Sequence, residues 1–178
     1  MTTYNFYLKD LGTSAPGFWG EGDRYVLGLE IKKFFDEICQ LAACPFSTSD
    51  YWWDPSTVSD TELLIYFVDG PSSSLVHRIR PSASLGPAGT THISTAGNLS
   101  EVYLSAIAGQ SNPVRALAVL AFHEAMHNLL KQGVGLHGSG GMGLAAATVY
   151  ATTQLTSRNK QLMAPAMGTR IPQNTSFL

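Results

Sequence analysis

Charge is scarce in this chain: Asp, Glu, Lys and Arg together make up 13% of its 178 residues, about half the usual share for a globular domain. The 11 basic and 13 acidic side chains nearly cancel, to a formal net charge of −2, and no Lys/Arg run concentrates the basic ones. A docking patch for nucleic acid or an anionic membrane is thereby excluded, so no nucleic-acid partner is expected. No apolar run is long enough to span a bilayer. Met1 to Asp10 lacks the basic region and apolar stretch of a secretory leader, and the expectation is a cytoplasmic protein or one exported by a leaderless route, as an effector would be.

Cysteine is nearly missing as well. Cys39 and Cys44 lie five positions apart, a spacing open to buried thiols, a small disulfide or half of a metal site. Buried thiols are the expectation, because nothing else marks an oxidising compartment. No repeat, low-complexity tract or Pro/Gly-rich linker divides the chain, and 44% hydrophobic residues suffice for one core. One domain over residues 1–178 is expected.

Apolar periodicity supplies the elements. Residues 23–42 put Val26, Leu27, Ile31, Phe34, Phe35 and Ile38 at helical spacing, which predicts a packing helix. Residues 45–60 are rich in Ser, Thr and Asp and read as a loop, in which Trp52 and Trp53 either wall a substrate pocket or plug the core edge. Residues 63–68 (LLIYFV), closed by Asp69-Gly70-Pro71, have the pattern of a buried central strand. Residues 72–98 read mostly as loop, with brief strand-like pieces near 75–79 and 91–94. Residues 101–107 (EVYLSAI) alternate as a half-buried strand. The break, capping residue and proline in 109–113 (GQSNP) then start a helix predicted to reach Gln132 and stop at Gly133.

That helix carries His123-Glu124-Ala125-Met126-His127. Residues four apart project from one helix face, so two imidazoles there can bind one ion, while Glu124 stands beside it as a general base for metal-bound water. A hydrolytic site of this kind needs a third ligand. Beyond Glu124 the chain contains no Asp or Glu, and beyond His127 only one histidine, His137. His137 is therefore the default third ligand, with His77 and His92 as outside candidates. It sits in a glycine-dense stretch, residues 133–143, able to reverse the chain.

These residues resemble the metzincin branch of the zincin peptidases, whose motif is H-E-x-x-H-x-x-G-x-x-H followed by a methionine turn. The chain departs from the pattern: nine residues rather than five separate His127 from His137, and Leu130 stands where the motif has glycine. The excess is about one helical turn. The resemblance implies an α+β, zincin-like fold with a small mixed β-sheet, an active-site helix and a C-terminal helix, read here over 144–162. It implies Zn²⁺ held by His123, His127 and His137, and Met142, or alternatively Met163, as the methionine turn. It implies a metalloendopeptidase in which Glu124 assists attack of zinc-bound water on a protein or peptide substrate, and by analogy residues 101–107 as the edge strand that pairs with substrate, with a buried strand as the equal alternative. A non-catalytic zinc-binding module and a zinc hydrolase of non-peptide amides stand as alternatives.

Overall fold

In the computed structural model, which describes residues 2–13 and 19–178, the chain opens with a strand to which the patterning above assigns no element. This is β1 (Thr3–Asp10), where Tyr4, Phe6 and Leu8 are buried and the residues between them are not. That period of two is the mark of a strand packed harder on one face. Next comes α1 (Glu21–Cys39), close to the predicted span, with Leu27, Ile31, Phe34, Phe35 and Ile38 buried and Val26 exposed.

The expected loop at 45–60 instead contains β2 (Thr48–Trp53), paired in parallel with β1. As an edge strand it buries little, and its polar composition hides it. Trp53 packs on Phe67 with ring centroids 5.7 Å apart, and Arg24 lies over its ring. Trp52 is 57% exposed. Both tryptophans therefore belong to the β2 edge strand, with Trp53 packed against the core.

The apolar run is β3 (Leu63–Val68), buried at all six positions. Leu63, Ile65 and Phe67 face one core cluster and Leu64, Tyr66 and Val68 the other, so a sheet covered on both faces accounts for an unbroken apolar strand. The piece expected as strand at 75–79 is α2 (Leu75–Ile79), whose cap Ser74 accepts from the His77 N–H. Then follow β4 (Gly89–His92) and β5 (Leu99–Tyr103). The sheet order is β2-β1-β3-β5-β4, parallel throughout except that β4 runs antiparallel to β5.

This order decides against the edge strand of the analogy and for the buried strand that stood beside it. The strand part of 101–107 lies inside the sheet, and Leu104–Ile107 is a 3-10 turn. The apparent solvent face of that segment is Glu101, which is wholly buried because its carboxylate accepts from the Leu75 and Val76 N–H groups and the hydroxyls of Ser74 and Tyr103. The edge on this side of the sheet belongs to β4.

The motif helix is α3 (Pro113–Leu130), capped by Asn112, whose side chain accepts from the Arg115 N–H. It lies on the sheet face shared with α1, and Phe122 packs on Phe34 and Phe35 at 4.9 and 5.0 Å. One turn of helix, α4 (Leu136–Ser139), and then α5 (Ser157–Ala166) complete the set. The helix expected over 144–162 does not form as such: Gly143–Ala145 is a 3-10 turn and regular helix starts only after Thr156. Hydroxyl groups in between compete for the backbone, as where the Tyr150 N–H donates to Thr153 Oγ1 at 2.8 Å.

The fold is thus mixed α/β, with α1, α3 and α5 on one face and α2 with the C-terminal tail on the other. No helix among the described residues is long and apolar enough to cross a membrane. Cys39 and Cys44 are free, with sulfurs 3.9 Å apart, and burial pushes the Cys39 thiol up to about 12.

Candidate metal centre

His123 and His127 stand one turn apart on α3, and the chain beyond them is bent to return a third imidazole. The helix ends at Leu130, where Lys131 takes a left-handed φ of 53° and its N–H bonds back to the His127 and Asn128 carbonyls. Gln132 N–H also donates to the His127 carbonyl, Leu136 N–H donates to Gly133 O, and α4 then lifts His137 toward α3. The reversal is made at Lys131 rather than Gly133. The four residues in excess of the family spacing are taken up by the turn at 132–135 and by α4, not by an extra turn of α3.

His127 Nε2 lies 3.1 Å from His123 Nε2 and 3.2 Å from His137 Nε2, and the three ligand atoms fall within 4.8 Å of one another. Nitrogens bound tetrahedrally at about 2.0–2.1 Å would sit about 3.3 Å apart. Proton bookkeeping points the same way. His123 Nδ1 donates to the Leu144 carbonyl and His127 Nδ1 to the Gln132 carbonyl, both at 2.7 Å. A neutral imidazole protonated at Nδ1 turns a bare lone pair outward at Nε2. Lone pairs facing one another at 3.1 Å repel unless a cation lies between them, so the residues fit a bound metal ion. Burial holds His123 down at about 4 and also lowers His127, which keeps both in the neutral form that ligates. His77 and His92 lie outside this cluster.

The support behind His123 was not legible in the sequence. Asn159, wholly buried at the start of α5, donates from Nδ2 to the Gly140 and Met142 carbonyls and accepts the Leu144 N–H at Oδ1. It thereby aims the Leu144 carbonyl at the imidazole. Gly143 makes this path possible: φ is 73°, and a Cβ there would meet Gln154 O at 2.6 Å. The turn faces inward with its main chain, which corrects the expectation for Met142. That side chain is 83% exposed and forms no hydrophobic base, whereas Met163 is fully buried on α5 in the cluster that holds Leu144.

Glu124 points to the sheet. Thr91 Oγ1, on β4, donates to Glu124 Oε2 at 2.6 Å. Gly89 leaves room beside it, since a Cβ there would lie 3.0 Å from Glu124 Oε1 and 2.7 Å from the Glu101 carbonyl. Burial pushes the Glu124 carboxyl up to about 8, with the Thr91 bond opposing and the Glu101 charge adding to the rise. A group so poised exchanges protons near neutral pH.

A cleft of about 440 Å³ opens over these residues. It is lined by Gly89, Thr90 and Thr91 of β4, by residues 84–88 and 147–149, and by Leu120 beside the three histidines and Glu124. Among the described residues no Lys, Arg or Asp lines it, so Glu124 is its acidic group. Compared with protein families, with curated proteins and with solved structures, the chain matches none, and the chemistry of this centre is argued from its own geometry.

Proposed function

We propose that the chain is a zinc metallopeptidase of zincin-like fold. The observation that carries this reading is the convergence of three Nε2 atoms, two of them left unprotonated because carbonyls hold the ring proton at Nδ1, with a buried carboxyl lining the same open cleft. Three imidazoles with room for a further ligand suit zinc. Zinc held there supplies a Lewis acid that polarises a carbonyl and acidifies water. Glu124 takes the proton and passes it to the leaving amine, a double task suited to a carboxyl raised toward neutrality.

The fold supports the same reading, with α1 packed under the sheet, α3 along it and α5 behind the centre. The terminal strand β4 lines the cleft. An extended peptide can add to such an edge backbone to backbone, which favours a peptide over a non-peptide amide as substrate. A purely structural metal site has no use for a buried carboxyl lining the same cleft.

The test is metal analysis of the purified protein with digestion of a peptide library. One zinc per chain and discrete cleavage are expected, with Glu124→Gln keeping its zinc while losing at least about 100-fold in kcat. His137→Ala should bind zinc far more weakly. Undiminished cleavage by Glu124→Gln, or undiminished zinc in His137→Ala, overturns the assignment.

A further inference from the structure

A chain of hydrogen bonds, buried in its middle, ends on Glu124, and its direction is set by a group that can only donate. The backbone N–H of Ser94 donates to Asn98 Oδ1 at 3.2 Å, so the other side-chain atom of Asn98, Nδ2, is a donor. It lies 3.1 Å from Asn128 Oδ1, which makes Asn128 Nδ2 the donor to Ser100 Oγ at 2.8 Å. Gln173 repeats the constraint independently. Its Oε1 accepts from the Leu64 backbone N–H and from Asn128 Nδ2, and its Nε2 donates to Asn128 Oδ1 at 3.2 Å.

Ser100 Oγ accepts from Asn128 and has one hydrogen left. Thr91 Oγ1 at 2.9 Å is better placed to receive it than the Glu124 carbonyl at 3.5 Å. Thr91, accepting from Ser100, keeps its own hydrogen for the nearest acceptor, Glu124 Oε2 at 2.6 Å, a length proper to a hydroxyl bonded to a carboxylate. Asn98, Ser100 and Asn128 are all buried, so water does not compete for the inner part of the series, while Thr91, half-buried at the cleft, is turned by its short bond to Glu124. Each bond in the series points at the carboxylate.

From this we infer that Thr91 is a positioning residue for the reaction proposed above, on which the inference rests. Its hydroxyl, locked as a donor by Ser100 and Asn128, pins Glu124 Oε2 to β4 and leaves Oε1 to exchange the reacting proton. Gly89 and Thr91 lie on the same strand that walls the cleft, so the element proposed to bind the substrate backbone also holds the base. Substrate and base are thereby placed by one strand.

The test compares Thr91→Val, which keeps the shape and removes the hydroxyl, with Thr91→Ser, which keeps the hydroxyl. Both are made in the full chain, loaded with zinc and assayed on a peptide that the wild type cleaves. Thr91→Val should retain one zinc, hold KM within about twofold and lose about 10- to 100-fold in kcat, as expected for a base displaced by a fraction of an ångström. Thr91→Ser should recover kcat to within about threefold of wild type.

A second readout needs no turnover. At constant pH the carboxyl carbon resonance of Glu124 in the zinc-free protein should move in Thr91→Val and return in Thr91→Ser. An unmoved resonance in Thr91→Val, or equal kcat losses in the two variants, overturns the inference. Should Thr91→Val not fold, Ser100→Ala takes its place, with a several-fold lower kcat expected and an unchanged kcat overturning it. A zinc-loaded wild type that cleaves nothing defeats the peptidase reading alone, because the resonance still judges the Thr91 contact.

Discussion

A carboxyl group largely shielded from water holds its proton more tightly than the same group in an unfolded chain, and Glu124, although it lines the cleft, is only 6% exposed. Burial pushes it up to about 8, against about 4.3 when unfolded. Between those values the folded chain binds a proton that the unfolded chain has released. The metal-free protein therefore loses stability as pH rises through about 8 and keeps it below about 4.3. Glu124→Gln removes that titration, so the metal-free variant should gain on the order of 3 kcal/mol relative to wild type between about pH 5 and about pH 9. Urea unfolding at the two pH values measures the gap, and a gap that does not change with pH means that the carboxyl is not shielded. His123 works in the opposite sense, since burial holds its folded value at about 4, and its contribution is lost on acidification below about 6.5.

At the scale of elements, the decisive piece is the end of α3. Lys131 occupies the left-handed region that glycine adopts without cost, and a side chain there costs about 1 kcal/mol. Lys131→Gly should therefore raise stability by about 0.5–1 kcal/mol while leaving zinc affinity unchanged, as read by denaturation and metal titration. A loss of stability instead would assign more weight to the contact of Lys131 Nζ with the Arg170 carbonyl. α3 and β3 were legible because their signals are local: a cap, a proline and a four-residue spacing for one, a short apolar run closed by turn residues for the other. β2 was not, because an edge strand buries too little to be patterned, and the analogy that makes 101–107 an edge carries no sign that Glu101 finds partners on α2, far away in sequence.

Across the whole molecule, a bound ion would join α3 to the turn that carries His137, and ligand binding of this kind adds to folding free energy. Zinc at about 1,000 times its Kd should stabilise the wild type by about 4 kcal/mol, and most of this gain should vanish in His137→Ala. Thermal melts with and without a chelator read it out, and coincident wild-type curves would mean that no ion is held. The sequence alone determined the two helix imidazoles, the carboxyl between them and, by the census of residues after His127, the third histidine. These depend on spacing along one helix and on which ligand types are available at all. Only the tertiary structure decided that β4 is the edge, that Thr91 and Asn159 brace the centre, and that Met142 faces solvent. Each of these depends on contacts between segments distant in the chain, where no local period records which side chain will meet which.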